Sequence, residues 1–213
     1  MSVRLFVDNN PLEALEGSTL LQACLSNGIF IPNLCFLEGM TRPEASCRMC
    51  WVEVEGEKRP VPSCTVTVAE GMRVHTDTAA VRRLQKAALA LLLSVHEIDC
   101  KNCPSNRRCV LQDMAKFLSV GLKAKRFQQQ LGPVRCDQSH PCIDLYPNRC
   151  ILCGKCLYVC KNKHGKTHLS FARRGFETRI AFYGHPNDLK RVCQDCHACV
   201  DICPVSALLH KST

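Results

Sequence analysis

Sulfur dominates the chemistry available to this sequence. Eighteen of its 213 residues are Cys, a density at which cysteines dictate architecture. Cys150, Cys153, Cys156 and Cys160 are spaced C-x2-C-x2-C-x3-C. Cys193, Cys196, Cys199 and Cys203 repeat that spacing, with Pro204 after the last. Three thiolates at such intervals wrap three corners of a [4Fe–4S] cube, and in two-run sequences the fourth Cys of each run serves the other cluster. The expected sets are therefore crossed: Cys150, Cys153, Cys156 and Cys203 for one cluster, and Cys193, Cys196, Cys199 and Cys160 for the other. Lys161, standing where a Pro would follow Cys160, is a minor departure from that signature.

Two further sets lie upstream. His96-x3-Cys100-x2-Cys103-x5-Cys109 offers one imidazole and three thiolates, one ligand for each iron of a third [4Fe–4S] cluster. A lone His near a helix end is ordinarily a surface residue. Here three cysteines leave one iron unsupplied, and His96 is the nearest candidate. Cys35-x11-Cys47-x2-Cys50-x13-Cys64 provides two soft sulfur ligands for each iron of a [2Fe–2S] rhomb. The same residues can also build zinc sites, one of four cysteines and one of three cysteines with a histidine, and spacing leaves both readings open.

The four sites together take fifteen cysteines and one histidine, leaving Cys24, Cys136 and Cys142. Cys24 is expected as a buried small apolar residue. Cys136 and Cys142 flank a polar turn, Asp137 to Pro141, and are expected as inert thiols, with a redox disulfide as the other reading. His140 and the remaining histidines have no such company and are expected at the surface.

The elements that must hold these sites are legible in part. Val3 to Val7 alternates as a strand, Asp8-Asn9-Asn10 turns, and Leu12 to Leu15 returns. Thr19 and Gln22 form a capping-box pattern ahead of a short helix that Gly28 stops. A long loop from Pro32 to Cys50 precedes strands at Trp51 to Val54 and Met72 to Val74. Val81, Leu84, Ala88, Leu91, Leu92 and Val95 recur at helical spacing, and Val110 to Leu122 reads as a second helix. Phe171 to Arg174 and Thr178 to Tyr183 form a hairpin around Gly175. The class is α+β, and the gaps between cysteine groups divide the chain into residues 1–77, 78–136 and 137–213.

Charge and targeting narrow the function. The formal charge is +9 with every Cys neutral and the pI about 8.8, which invites a nucleic-acid reading. Ligating cysteines are thiolates, however, and four clusters held this way sum to about −7, leaving a holoprotein near about +2. Lys123, Lys125, Arg126, Lys161, Lys163, Lys166, Arg173 and Arg174 then need no nucleic acid to explain them. The longest apolar stretch, Ala87 to Val95, is about nine residues, whereas a span needs about 20. The start has no secretion signal. A cytoplasmic chain keeps its thiols reduced, so metal ligation is the expected use of the cysteines.

The order of the four sites resembles the amino-terminal region of iron-only hydrogenases and of NAD-linked formate dehydrogenases. Its first two modules are shared with the corresponding subunit of respiratory complex I. Along its whole length the chain is most similar to the small iron–sulfur diaphorase subunit of soluble NAD-reducing nickel–iron hydrogenases. Asn27-Gly-Ile-Phe-Ile-Pro-Asn-Leu-Cys35, Arg149-Cys-Ile-Leu-Cys-Gly-Lys-Cys156 and Arg174-Gly-Phe-Glu-Thr-Arg-Ile180 carry that likeness.

The resemblance implies a β-grasp [2Fe–2S] ferredoxin, a small helical module around a histidine-ligated [4Fe–4S] cluster, and a bacterial-type two-cluster [4Fe–4S] ferredoxin. It further implies an electron relay between a flavin-bearing NAD(P)H-binding diaphorase subunit and hydrogenase-type small and large subunits, or the same role in a formate dehydrogenase or electron-bifurcating complex. With Thr213 ten residues past Cys203, a catalytic domain is not expected. With no G-x-G-x-x-G, P-loop or H-E-x-x-H, neither a flavin nor a nucleotide is expected on this chain. The expected role is non-catalytic in isolation. The distant alternative is a zinc-rich structural or nucleic-acid-binding protein.

Overall fold

Asp8 and Asn9 both adopt positive φ, 49° and 67°, the backbone that a tight hairpin between right-twisted strands requires. In the computed structural model, which describes residues 1–123 and 127–211, this turn joins β1 (Ser2–Val7) to β2 (Asn10–Leu15) in antiparallel register from Ser2 opposite Leu15 to Val7 opposite Asn10. Lys125, Arg126 and Thr213, which entered the charge and length arguments, lie outside the described residues. The chain forms two units, Met1–Leu89 and Ala90–Thr213.

In the first unit, β3 (Trp51–Val54), β4 (Val61–Pro62) and β5 (Arg73–His75) complete a five-stranded sheet in the order β2-β1-β5-β3-β4. β5 runs parallel to β1 and antiparallel to β3. A parallel neighbour demands a crossover, and α1 (Leu20–Ser26) lies on that path. Its start is set by Thr19, whose hydroxyl accepts from the Gln22 amide at 3.2 Å. Its end is set by Gly28 at φ +74°, with the Ile29 amide closing back onto the Cys24 carbonyl at 2.9 Å. Leu20, Leu21, Ala23 and Cys24 pack into one core with Leu5, Val7, Leu12, Val52 and Val74. A helix laid across a mixed sheet in this way is the β-grasp arrangement that the resemblance implied.

α2 (Ala79–Ser94) forms as its periodicity predicts, but its buried face is displaced. Val81, Gln85, Ala88, Leu89 and Leu93 are buried, whereas Leu91 is 54 % exposed. Ala87 to Val95 is apolar almost without interruption, so hydrophobicity alone did not identify which side faces inward. Gln85 is admitted to that face because its Nε2 donates to the Trp51 carbonyl at 3.3 Å and its Oε1 accepts from Arg82 at 3.0 Å.

In the second unit, α3 (Val110–Phe117) ends earlier than the expected Leu122. Ser119 takes φ 53°, and the Val120 amide turns back to the Ala115 carbonyl at 2.9 Å, closing the helix. β6 (Ile143–Leu145) pairs antiparallel with β9 (Leu208–His210). Between them lie α4 (Lys155–His164), the hairpin β7 (Leu169–Ala172) and β8 (Arg179–Phe182), α5 (Pro186–Cys193) and α6 (Ala198–Asp201). The hairpin turns through Arg173 at φ 64° and Gly175 at φ 60°. Its first strand starts at Leu169, two residues before the alternation suggested.

Not all the histidines are at the surface. His140 is 1 % exposed and His168 7 %. The His140 ring lies 4.5 Å from that of Phe182, and its Nδ1 accepts from the Cys142 amide at 3.1 Å. Burial, then the positive charge of Lys211, holds the His140 imidazole at about 4, below its ordinary 6.5. A base held neutral in the folded state takes up its proton only on unfolding below its ordinary pKa, so stability falls as pH drops from about 6.5 and the dependence flattens below about 4. Thermal unfolding across that window is expected to show this slope, and His140→Asn, which keeps an acceptor for the Cys142 amide, is expected to reduce it.

Candidate metal centres

A loop with two left-handed residues gathers the first sulfur set. Ala45 and Arg48 take φ 50° and 52° in the loop between α1 and β3, where Cys47 and Cys50 are buried. Cys64 comes from a one-turn 3-10 helix, Ser63–Thr65, fastened to the loop by Ser63, whose amide and hydroxyl both reach the Cys50 carbonyl at 2.8 Å. Cys35, Cys47, Cys50 and Cys64 are all buried. The Cys35 and Cys47 sulfurs stand 3.5 Å apart, well beyond the roughly 2.05 Å of a disulfide.

The four thiols fall into two pairs. Cys35 and Cys47 share one hydrogen bond between their sulfurs, which brings Cys35 down to about 6 and pushes Cys47 up. Cys50 and Cys64 do the same, which brings Cys50 down to about 7 and pushes Cys64 up. Two pairs of sulfurs, each ready to share a cation, fit a rhomb with two thiolates on each of two irons.

The second set begins just after α2. Cys100 opens a 3-10 turn, the Cys103 amide closes it onto the Cys100 carbonyl at 3.3 Å, and Cys109 is the residue before α3. Burial above all raises the Cys109 thiol, with Cys103 and Cys100 adding to it through space. His96 is 8 % exposed. Its ring donates to the Arg149 backbone, burial lowers its pKa, and its Nδ1 is sealed from solvent with no hydrogen-bond partner. A buried imidazole nitrogen left without a partner is costly, and a neutral ring whose other nitrogen is engaged presents the lone pair that a metal takes.

The third and fourth sets share the ferredoxin-like part of the second unit. Leu152 at φ 52° and Gly154 at φ 74° coil the chain between Cys150 and Cys156. Cys150, Cys153, Cys156 and Cys203 line one hollow, walled by Leu145, Ile151, Ile180 and Pro204. Cys160, Cys193, Cys196 and Cys199 line another. The crossed sets expected from spacing are thus the sets that share a hollow, because α4 carries Cys156 to one and Cys160, one turn on, to the other.

Burial above all pushes up Cys150 and Cys199, both to about 12, and Cys193 to about 11. Amides reach the sulfurs as well: Leu152 to Cys150 at 3.4 Å, Ala207 to Cys203 at 3.2 Å and His168 to Cys160 at 3.4 Å. Such donors hold a sulfur that carries negative charge. Among the described residues no group of three or more His, Cys, Asp or Glu forms a site for a single metal ion. The sulfurs of the third and fourth sets instead surround hollows, and that arrangement, with the orphaned His96 nitrogen, fits iron–sulfur clusters.

Three features at the fourth set escaped sequence reasoning. His140, His164 and His168 all line its hollow, and His164 Nε2 lies 3.2 Å from the Cys196 sulfur. The signal was available in part: His164 stands four residues after Cys160 on α4, and so on the same face. Cys142 also acts through space on Cys193. The third leftover thiol, Cys24, is fully buried and raised to about 12, as expected for an apolar filler. Cys136 and Cys142 are free thiols, both partly exposed.

Comparison with known proteins finds three iron–sulfur domains along the chain. Residues 1–79 match a 2Fe-2S iron-sulfur cluster binding domain. Residues 85–121 match the NADH-ubiquinone oxidoreductase-G iron-sulfur binding region, and residues 149–207 match a 4Fe-4S dicluster domain. A chain in a crystal structure of NAD+-reducing [NiFe]-hydrogenase in the H2-reduced state is 30 % identical, with a TM-score of 0.87, over 100 % of this chain and 89 % of that one.

A G-type subunit of the NADH-quinone oxidoreductase of Rhizobium meliloti is 34 % identical over 97 % of this chain and 24 % of its own length. The alpha subunit of the NADPH-Fe(3+) oxidoreductase of Geobacter sulfurreducens is 32 % identical over 98 % and 24 %. The chain therefore spans about a quarter of the length of these two relatives. No helix among the described residues is long and apolar enough to cross a membrane.

The contrast in thiol environment has a direct readout. Anaerobic treatment of the native protein with iodoacetamide, followed by peptide mass spectrometry, is expected to label Cys136 and to spare Cys24 until the chain is unfolded.

Proposed function

We propose a specific role for this chain, which belongs to the family of iron–sulfur electron-transfer subunits shared by NAD+-reducing [NiFe]-hydrogenase and NADH-quinone oxidoreductase: it relays electrons between a flavin-bearing NAD(P)H-binding subunit and a hydrogenase-type catalytic subunit. The full-length likeness to a chain of the hydrogenase supports this reading. Its setting is cytoplasmic. The chain carries three functional domains, residues 1–77, 78–136 and 137–213. These hold one [2Fe–2S] cluster on Cys35, Cys47, Cys50 and Cys64, and three [4Fe–4S] clusters. The [4Fe–4S] ligands are His96, Cys100, Cys103 and Cys109; Cys150, Cys153, Cys156 and Cys203; and Cys193, Cys196, Cys199 and Cys160.

Bound clusters supply one-electron storage at each station. What the chain itself does is hold sulfur in place and set its surroundings. Loops with left-handed turns aim the thiolates, apolar walls such as Leu145 and Ile180 keep water from the third set, and backbone amides donate to Cys150, Cys160 and Cys203. His96, by replacing a fourth thiolate, removes one negative charge from its site, a change that by itself favours reduction there.

A second reading keeps the relay and changes its terminus. The oxidoreductase relatives from Rhizobium meliloti and Geobacter sulfurreducens support an acceptor other than a hydrogenase. Co-purification separates the two: a hydrogenase-type large subunit in the complex supports the first, and its absence beside another redox subunit supports the second.

The ligand sets are tested by composition. Anaerobically purified protein is expected to contain roughly fourteen iron and fourteen sulfide per chain. Cys156→Ala is expected to lower both by roughly four, while Cys24→Ala leaves them unchanged. Stoichiometric zinc with no iron would overturn the reading. The isolated chain is expected to show no NADH oxidation.

A further inference from the structure

The hollow of Cys160, Cys193, Cys196 and Cys199 is bordered by three imidazoles, and their nitrogens are not equivalently served. His140 Nδ1 accepts from the Cys142 amide at 3.1 Å. His164 Nε2 lies 3.2 Å from the Cys196 sulfur. His168 Nε2 is sealed from solvent and has no partner, although the residue is 93 % buried, its relative exposure being 7 %. The backbone on which His168 stands is itself tied to the site, its amide donating to the Cys160 sulfur at 3.4 Å. The Nδ1 edge of the ring faces Gly184, where an added Cβ would come within 3.7 Å of it. A buried ring nitrogen is normally hydrogen-bonded. The ring lines a hollow that four thiols share and that Ile143, Leu169 and Phe182 wall, which makes sulfur the acceptor chemistry gathered at that hollow.

We propose that His168 is a positioning residue for the [4Fe–4S] centre of this set, donating its Nε2–H to a sulfur of that centre and raising its reduction potential relative to a site without the donor. This deepens the relay reading and rests on it. Reduction adds one electron to the centre, which becomes more negative; no bond is made or broken and the proton stays on Nε2. A donor aimed at sulfur stabilises the reduced form more than the oxidised form, because the acceptor carries more charge in it.

The test uses the complete chain purified anaerobically with its native partners. Cys199→Ser first identifies the centre by the electron paramagnetic resonance signal that it removes or alters. Midpoint potentials are then compared in wild type, His168→Leu and His168→Gln. His168→Leu is expected to make reduction about tenfold less favourable, a downward shift of about 59 mV for one electron. His168→Gln, which retains a donor, is expected to stay close to wild type.

With histidine labelled by nitrogen-15, the imidazole hyperfine coupling at the reduced centre is expected to weaken in His168→Gln. This readout also serves if His168→Leu does not accumulate. If Cys199→Ser leaves every signal unchanged, the cluster reading fails and the role of His168 with it. If the signal is found but its midpoint and nitrogen coupling are the same in wild type and His168→Gln, and its midpoint is unmoved in His168→Leu wherever that variant accumulates, the role of His168 alone is overturned.

Discussion

Crowded sulfur is the constraint on which this molecule is built. A buried thiol resists ionisation, as the upward shifts of Cys150, Cys193 and Cys199 record. Four thiolates facing one another away from water are unstable unless a cation stands among them. The first set shows the compromise reached by thiols alone. In each pair a hydrogen bond between the sulfurs lowers one thiol, Cys35 or Cys50, and raises the other, Cys47 or Cys64. A bound cation in place of those shared protons would relieve the same crowding, and metal binding would then be coupled to folding at such a site.

That constraint is also visible in the backbone of the cysteine-bearing loops. Ala45, Arg48 and Leu152 accept left-handed backbone without being glycine, a conformation that costs energy and persists where the surroundings over-determine it. Each stands in a turn that swings a cysteine toward its partners. The apolar cores are correspondingly local: a sheet-and-helix core in the first unit, and in the second a core in which Cys156, Cys160 and Cys199 pack beside Ile143, Leu145 and Leu208. In the second unit, cysteine is both wall and ligand candidate.

Much of this was legible in the sequence because cysteine spacing carries geometric information. The crossed grouping of Cys160 and Cys203 follows from two runs of equal spacing, and the two hollows match it. Asp8-Asn9 and the Thr19 and Gly28 signals work through neighbours only, and so predicted β1, β2 and α1 well. The inward face of α2 was not legible, since an almost unbroken apolar run has no phase, and a polar residue, Gln85, sits on the buried side. The histidines were misread for a related reason. His140 is covered by Phe182, and both rings line the sulfur-bearing hollow, whose walls come from segments as far apart as Ile143 and Cys199.

Helix α4 places Cys156 and Cys160 on two different hollows. Four residues along an α-helix correspond to about 6 Å of rise, and hydrogen-bonded backbone is stiff on that scale. The gap between the two stations is accordingly written into a single turn of helix, as a ruler is marked by its own graduations. Loop rearrangement elsewhere leaves that interval unchanged, and a one-residue insertion between these two cysteines would rotate the second by about 100° and aim it away from its companions.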